Sequence, residues 1–388
     1  MNAPLQAPAD LLRLRDHMSS ICAPLEEARH LPGDVYASKE IFALEKEKIF
    51  KKHWLCVARV EELSKVGDYQ TMRIVGEPIV IARESEGKGE NEGGFAIFRN
   101  QCTHRGVEVA YGEGNAKNFQ CPYHAWTFDI GGRLLGAPLM KESKVDLGKC
   151  NLPRLHMAIW RGWIFTTLNP HPQPFAEYIG QYEKHLWWYP TDRCKLAFKK
   201  VIHVGANWKF LVENLLDFYH ASTVHKSTFG KQYKLGNKPL PARCEKDGAF
   251  FLEWDASMRP TDPKLGFFSS LPWLNERSVT ATRGFLFPNM QMSAIDSLRM
   301  WSMWPVSETQ TDVVGYFILP EESFHAQDFA SQVKKFDAFS ETFLAEDKVA
   351  LESLQVMANS DSFKGGPLSQ YEIGIHHLLN HYVDVITS

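Results

Sequence analysis

The sequence predicts an α+β protein, with a small antiparallel β domain followed by a larger domain that combines antiparallel sheet with helices. Three observations carry that expectation. Near residue 48 the texture changes from helical or irregular to short runs of β-branched and aromatic residues. NPHPQPF, residues 169–175, breaks any strand or helix with three prolines. Beyond it, long apolar periodicities of helical spacing alternate with bulky, strand-like segments. A chain of 388 residues, 44% of them hydrophobic, is long enough to bury about two cores.

The elements follow in order. Residues 1–47 are expected to form a helical segment packing on the larger domain, with EIFALEKEKIFKKHW entering the next region as a short amphipathic helix. Residues 48–168 form the β domain. DYQTMRIV, EPIVIAR, GFAIFRN, AWTFDI and RGWIFTTL read as its strands, because each is bounded by Gly, Pro or charged turns. ESEGKGENEGG, residues 84–94, reads as an exposed polar connection between two of them. Residues 169–388 form the second domain. It opens with the helix candidate NWKFLVENLLDFYHASTVHKST, where Leu211, Leu215 and Phe218 make an apolar stripe and Glu213, Asp217 and His220 share the opposite side. FLFPNMQMSA and LRMWSMWPV read as strands, and QVKKFDAFSETFLAEDKVALESLQ as a long helix.

Inside the β domain, CTHRG and CPYHAW place Cys102 with His104 and Cys121 with His124. Ligands one or two residues apart can converge on a metal only where the backbone turns, and Gly106 and Pro122 supply turn chemistry to both segments. Two thiolates and two imidazoles are the donor set of a Rieske [2Fe–2S] cluster, in which two His replace two Cys on one iron and raise the reduction potential. A structural zinc site is the alternative, but zinc fingers pair Cys with Cys and His with His. Cys22, Cys56, Cys150, Cys194 and Cys244 read as ordinary thiols.

The second domain carries a different constellation. Asp217, His220 and His225 read as D-x-x-H-x4-H, with Asp217 one turn before His220 and placed to orient its ring. Five residues carry His225 about 140° around a regular helix from His220, so the helix must bend, widen or break between them. A carboxylate should complete the set, since two His and one carboxylate leave open positions for dioxygen on non-haem Fe(II). Asp347 falls within the stripe Phe336, Phe339, Phe343, Leu351 and Leu354, where a carboxylate is costly unless a cation receives it. Glu346 lies about 80° off that stripe and reads as solvated.

Both motifs resemble those of the Rieske non-haem iron oxygenases, the terminal (alpha) components of aromatic ring-hydroxylating systems, and the resemblance covers most of the chain. Respiratory-type Rieske proteins carry an additional Cys in each loop, where this chain has Val107 and Tyr123. The resemblance implies a helix-grip-like catalytic domain and a mononuclear iron held by His220, His225 and Asp347, with Glu352 as the following Glu. It also implies a bridging role for Asp217 in electron transfer, toward the cluster of a neighbouring subunit through His124, and hence a head-to-tail homotrimer with or without a beta subunit. Electrons would come from NAD(P)H through a reductase or ferredoxin, and dioxygen would be used to mono- or cis-dihydroxylate an aromatic substrate. A monooxygenase of demethylase type, or one acting on quaternary ammonium compounds, is the alternative; some such members carry Glu at the bridging position, which mildly favours ring chemistry here. A pure electron carrier is the distant third reading.

Substrate identity is the least legible part. Arg283 and Arg299 sit on candidate pocket strands and can either receive a substrate carboxylate or face solvent, the commoner fate of Arg. A net charge of −3 gives no electrostatic case for nucleic acid or an anionic membrane. No window approaches the roughly 20 apolar residues of a spanning helix, and the N-terminus lacks a signal peptide's apolar region, so the expected location is the cytoplasm.

Overall fold

The computed structural model describes residues 8–87, 93–186, 191–228, 230, 242–244, 248–255, 280–294 and 298–388, so the Gly-rich connection 84–94 and the first residues of the chain lie partly outside the described residues. Two compact units emerge, Phe50–Phe175 and a second made of Met1–Ile49 with Ala176–Ser388. Residues 169–175 belong with the first: Trp54 Nε1 donates to the Gln173 carbonyl at 3.0 Å, and its ring meets that of Phe175 edge-on at 5.1 Å.

The first unit is built from short antiparallel strands: β1 (Leu55–Arg59), β2 (Asp68–Ile74), β3 (Glu77–Arg83), β4 (Phe95–Arg99), β5 (Glu113–Asn115), β6 (Asn118–Gln120), β7 (Thr127–Asp129), β8 (Leu134–Gly136), β9 (His156–Trp160) and β10 (Trp163–Thr167). They pair as β1-β10-β9, β4-β3-β2-β5 and β6-β7-β8. The β2–β3 and β9–β10 hairpins close through Val75–Gly76 and Arg161–Gly162, with positive φ at both residues, the turn geometry that matches strand twist. Val80, Phe98, Phe119 and Phe128 form the core on which Cys102 and Cys121 are seated.

In the second unit the N-terminal segment supplies α1 (Pro8–His17), α2 (Asp34–Ala37) and α3 (Lys39–Glu45), and α4 (Phe175–Leu186) leads out of the β unit. A seven-stranded sheet follows, from β11 (Cys194–Val204), β12 (Ala242–Cys244), β13 (Ala249–Asp255), β14 (Thr280–Leu286), β15 (Met290–Ala294), β16 (Leu298–Ser307) and β17 (Gln310–Pro320). Its order is β11-β17-β16-β15-β14-β13-β12, antiparallel throughout. The remaining helices are α5 (Trp208–Leu216), α6 (Ala221–Val224), α7 (Phe329–Ala358) and α8 (Ile373–Thr387). Helix α5 packs on β16, α7 on β11, and α8 on β12 and β13.

Two polar groups fix where α5 lies. Asn207 caps it by accepting from Lys209 N–H at 3.0 Å, while its own N–H donates to Gln355 of α7 at 2.7 Å. At its buried side, Glu45 accepts from Lys209 Nζ (2.5 Å), Trp208 Nε1 (2.9 Å) and Tyr382 Oη (2.7 Å), which ties α3, α5 and α8 together. An ion pair this deeply buried tolerates its desolvation only because every carboxylate partner is in place. Among the described residues, no helix is long and apolar enough to cross a membrane.

The structure corrects the expected faces of two helices. Helix α5 stops at Leu216, so Glu213 does not share a face with Asp217 and His220; it accepts from Tyr36 Oη at 2.9 Å inside the core. In α7 the buried row runs Phe336, Ser340, Phe343, Leu351, Gln355 and Ala358. Leu354 is off this row and exposed, because the 3.6-residue period selects Gln355 at that turn.

Candidate metal centres and the pocket at the second

The first candidate centre sits on two loops with the same hydrogen-bond plan. Between β4 and β5, Cys102 N–H donates to the Val107 carbonyl and Gly106 N–H returns to the Cys102 carbonyl, both at 2.8 Å. Between β6 and β7, Cys121 N–H donates to Trp126 at 2.8 Å and Ala125 N–H returns to Cys121 at 3.0 Å. The fourth residue after each Cys, Gly106 or Ala125, has positive φ (84° and 56°), which turns the chain back so that each His clears its Cys. Cys102 and Cys121 are buried, whereas His104 and His124 are exposed with ring centroids 4.6 Å apart. Thiolates inside and imidazoles outside fit a cluster whose two irons have different donors. The His104 ring stacks on Trp126 at 5.0 Å, and Tyr123 lies 3.8 Å from His124. All seven cysteines are free, including those near Val107 and Tyr123.

The second centre forms where α5 ends. Asp217 has extended backbone, and its carboxylate accepts from Tyr219 N–H at 2.5 Å and His220 N–H at 3.3 Å. An Asp carboxylate that takes over the following N–H groups competes with helix continuation, so the chain restarts as the one-turn α6. His220 and His225 flank that turn as its two caps. The break therefore precedes both histidines, where the sequence predicted it between them. Gly230 closes the turn by donating to the His225 carbonyl at 2.7 Å, and a Cβ there would lie 2.6 Å from that oxygen.

Each ring is held from behind by a carboxylate. Asp217 Oδ2 lies 2.8 Å from His220 Nδ1, and Glu346 Oε2 lies 3.0 Å from His225 Nδ1. Glu346 is thus not the solvated residue its helical position suggested, because the loop after α6 comes over it: Ser227 Oγ donates to it, as does Thr228 Oγ1 at 2.7 Å. Burial raises the Glu346 pKa, but these hydroxyls and His225 outweigh it and hold the carboxyl below its ordinary range. For His225, 2% exposed, burial lowers the pKa and the carboxylates of Asp347 and Glu346 more than reverse it.

With both Nδ1 atoms facing carboxylates, the tautomer so assigned leaves each Nε2 without hydrogen. These two atoms lie 3.7 and 3.1 Å from Asp347 Oδ1, and one donor atom from each of the three residues lies within 4.8 Å of the others. Asp347 Oδ1 is buried without a hydrogen-bond donor. Two lone pairs and an anionic oxygen aimed at one another are unfavourable until a positive charge enters, either a proton on His225, which its raised pKa favours, or a metal ion, and two His with one carboxylate is the donor set that suits non-haem iron. Glu352, by contrast, turns away to accept from Gly205 N–H at 3.0 Å.

A pocket opens beside these three residues, lined among others by Ile202, Leu211, Trp301, Met303 and Phe343. Arg283 and Arg299 line it too, correcting their expected solvent exposure. On β16, Arg299, Trp301 and Met303 alternate toward the cavity as period-two geometry requires. Arg283 donates to the Leu215 carbonyl at 2.9 Å and lies 4.3 Å above the Phe218 ring.

Comparison with known proteins matches this architecture. Residues 53–155 match the Rieske [2Fe-2S] domain, and residues 191–388 match the ring hydroxylating alpha subunit catalytic domain. The glycine betaine monooxygenase oxygenase subunit of Pseudomonas aeruginosa is 25% identical over 97% of this chain and 91% of its own. The carnitine monooxygenase oxygenase subunit of Escherichia coli is 34% identical over 53% of this chain and 54% of its own. In fold, the chain is similar to a quaternary ammonium Rieske monooxygenase of known structure, with TM-score 0.77 and 23% identity over 95% of this chain and 98% of that one. An iron–sulfur domain and an alpha-subunit catalytic domain in one polypeptide make this protein a member of the Rieske non-haem iron oxygenases, as the terminal oxygenase subunit.

Proposed function

We propose that this oxygenase subunit serves a Rieske monooxygenase whose substrate is a quaternary ammonium compound. On this reading Cys102, His104, Cys121 and His124 hold the [2Fe–2S] cluster, and His220, His225 and Asp347 hold the mononuclear iron. The observation that carries the substrate class is the match over 97% of the chain to a glycine betaine monooxygenase subunit. It outweighs the mild preference for ring chemistry drawn from Asp217 standing in place of Glu. Trp301 adds physical support. Its indole lines the cavity and lies against Gly315, where a Cβ would come within 2.5 Å of it, and an indole ring attracts a quaternary ammonium through its quadrupole.

When bound, the cluster supplies single electrons and the mononuclear iron supplies the site at which dioxygen is reduced. The protein's own contribution is positional. Asp217 and Glu346 hold the Nδ1 protons of His220 and His225, which fixes tautomer and ring orientation. Leu211, Met303 and Phe343 line an apolar cavity wall that limits water. As an oxygenase subunit the chain works with a reductase or ferredoxin that draws on NAD(P)H. The same reading gives Asp217 a bridging role toward His124 of a neighbouring subunit in a head-to-tail trimer, and the exposure of His124 supports it.

The test is product analysis with a reconstituted reductase, labelled dioxygen, and a panel of quaternary ammonium, aromatic acid and aromatic hydrocarbon compounds. Turnover of the ammonium compounds with one labelled atom incorporated is the expected result. Turnover of aromatic compounds alone, with two atoms added to the ring, would replace this reading with the ring-hydroxylating one.

A further inference from the structure

Arg299 occupies an unusual position for a guanidinium. It sits on β16, third in the seven-stranded sheet, and is 8% exposed. Its Nε has no hydrogen-bond partner, and among the described residues it makes no ion pair. Its guanidinium carbon lies instead over an aromatic face, 5.9 Å from the Phe343 ring centroid. Arginine stays charged at any ordinary pH, and a charge held this far from water is costly unless an opposite charge meets it. The guanidinium lines the cavity that also contains His220, His225 and Asp347.

The neighbouring strands complete the description. Cross-strand register places Arg283 opposite Ser293 and Ser293 opposite Arg299, so the three form one row across β14, β15 and β16, and all three line the cavity. Arg283 is engaged by Leu215 and Phe218. Ser293, 3% exposed, accepts from Gln291 Nε2 at 2.8 Å, which leaves its hydroxyl proton to donate. Arg299 and Ser293 therefore present a fork of N–H donors beside an O–H donor, the arrangement that suits a planar, two-oxygen anion. Trp301 follows two residues along the same strand, about 6.5 Å farther at a strand's rise per residue.

We propose that Arg299, with Ser293, binds a carboxylate of the substrate. The substrate is then a small organic acid or zwitterion, not a hydrocarbon or a free cation, with its acid at Arg299 and the rest of the molecule extending past Trp301 toward the three metal-site residues. This deepens the reading above in that it takes the same cavity as the substrate site, but it does not depend on the ammonium group.

The test uses binding to the iron-loaded protein, followed by intrinsic fluorescence and calorimetry, with matched pairs of probes: glycine betaine against its amide, and benzoate against benzamide. Wild-type protein is expected to bind at least one carboxylate at least about 10-fold more tightly than its amide, as a charge-assisted hydrogen bond implies. Arg299→Gln should abolish that preference by weakening the acid far more than the amide, with the iron content of the wild type, and Arg299→Lys should restore part of it. The position is overturned if no carboxylate binds the wild type saturably, if acid and amide bind alike, or if Arg299→Gln weakens both equally. Should Arg299→Gln fail to fold, Arg299→Met and Ser293→Ala are read in its place, and an undiminished acid preference in both overturns the position. Preference for benzoate with no binding of glycine betaine would sink the quaternary ammonium reading and leave the role of Arg299 standing.

Discussion

At the scale of the residue, the carboxylates of the second centre have separable duties. Asp347 points its buried, donorless oxygen at two histidine Nε2 atoms, whereas Glu346 and Asp217 stand behind the rings. Asp347→Ala is expected to lose the mononuclear iron and keep the two irons of the cluster. Glu346→Gln should weaken that iron by about 10–100-fold, the usual effect of removing a partner that orients a metal-binding His. Asp217→Asn removes the same kind of partner from His220 and should weaken the iron comparably; once loaded at excess Fe(II), it should still lose turnover coupled to reductant. Iron titration and single-turnover assays distinguish the three, and normal iron in Asp347→Ala would move the third ligand elsewhere. Asp217, His220, His225 and Asp347 were legible because their spacing and the odd placement of Asp347 in an apolar stripe are local features. Glu346 was not. Its angular position on α7 is as the sequence implies, but the Ser227–Thr228 loop that buries it arrives from a different part of the chain. Arg299 was misread for the same reason, since base rates for Arg say nothing of a strand in the middle of a sheet.

At the scale of the element, α5 shows what periodicity can and cannot decide. Its apolar character was evident, but its end was set by Asp217 capturing the N–H groups ahead of it, a side-chain event that a helical wheel ignores. Glu213 was consequently placed with the chemistry when it belongs to the core. Burial comes first among the causes that push its pKa up to about 7; Glu372 adds to the rise, while His30, Tyr36 and Lys209 oppose it. The sign of the resulting pH effect follows from the unfolded value of 4.5. Between 4.5 and about 7 the folded chain keeps a proton that the unfolded chain releases, so stability falls as pH rises through that window. The loss is complete above it and is on the order of 3 kcal/mol. Glu213→Gln keeps an acceptor for Tyr36 and removes the titration. Its denaturation midpoint should gain on the wild type between about pH 5 and about pH 8, whereas parallel profiles would show that Glu213 is already ionised in the folded state.

At the scale of the molecule, the class and the order of its parts were readable from where turns, prolines and ligand pairs fall, but the larger sheet's order was not. β11 pairs with β17, more than a hundred residues away, and nothing local in either strand names its partner. Each unit contains its own candidate ligand set: Cys102, His104, Cys121 and His124 in one, His220, His225 and Asp347 in the other. Separate sets imply separate losses. On the proposed assignment, four ligands, two of them buried cysteines, should hold a cluster against a chelator far better than three ligands at the edge of a pocket. Mild chelation is therefore expected to lower iron from three atoms per chain to two, leave the acid-labile sulfide and the visible absorption of the cluster intact, and abolish turnover, with activity returning on addition of Fe(II). Parallel loss of sulfide and of all iron at one chelator concentration would mean that the two centres stand or fall together, against the independence of the two units.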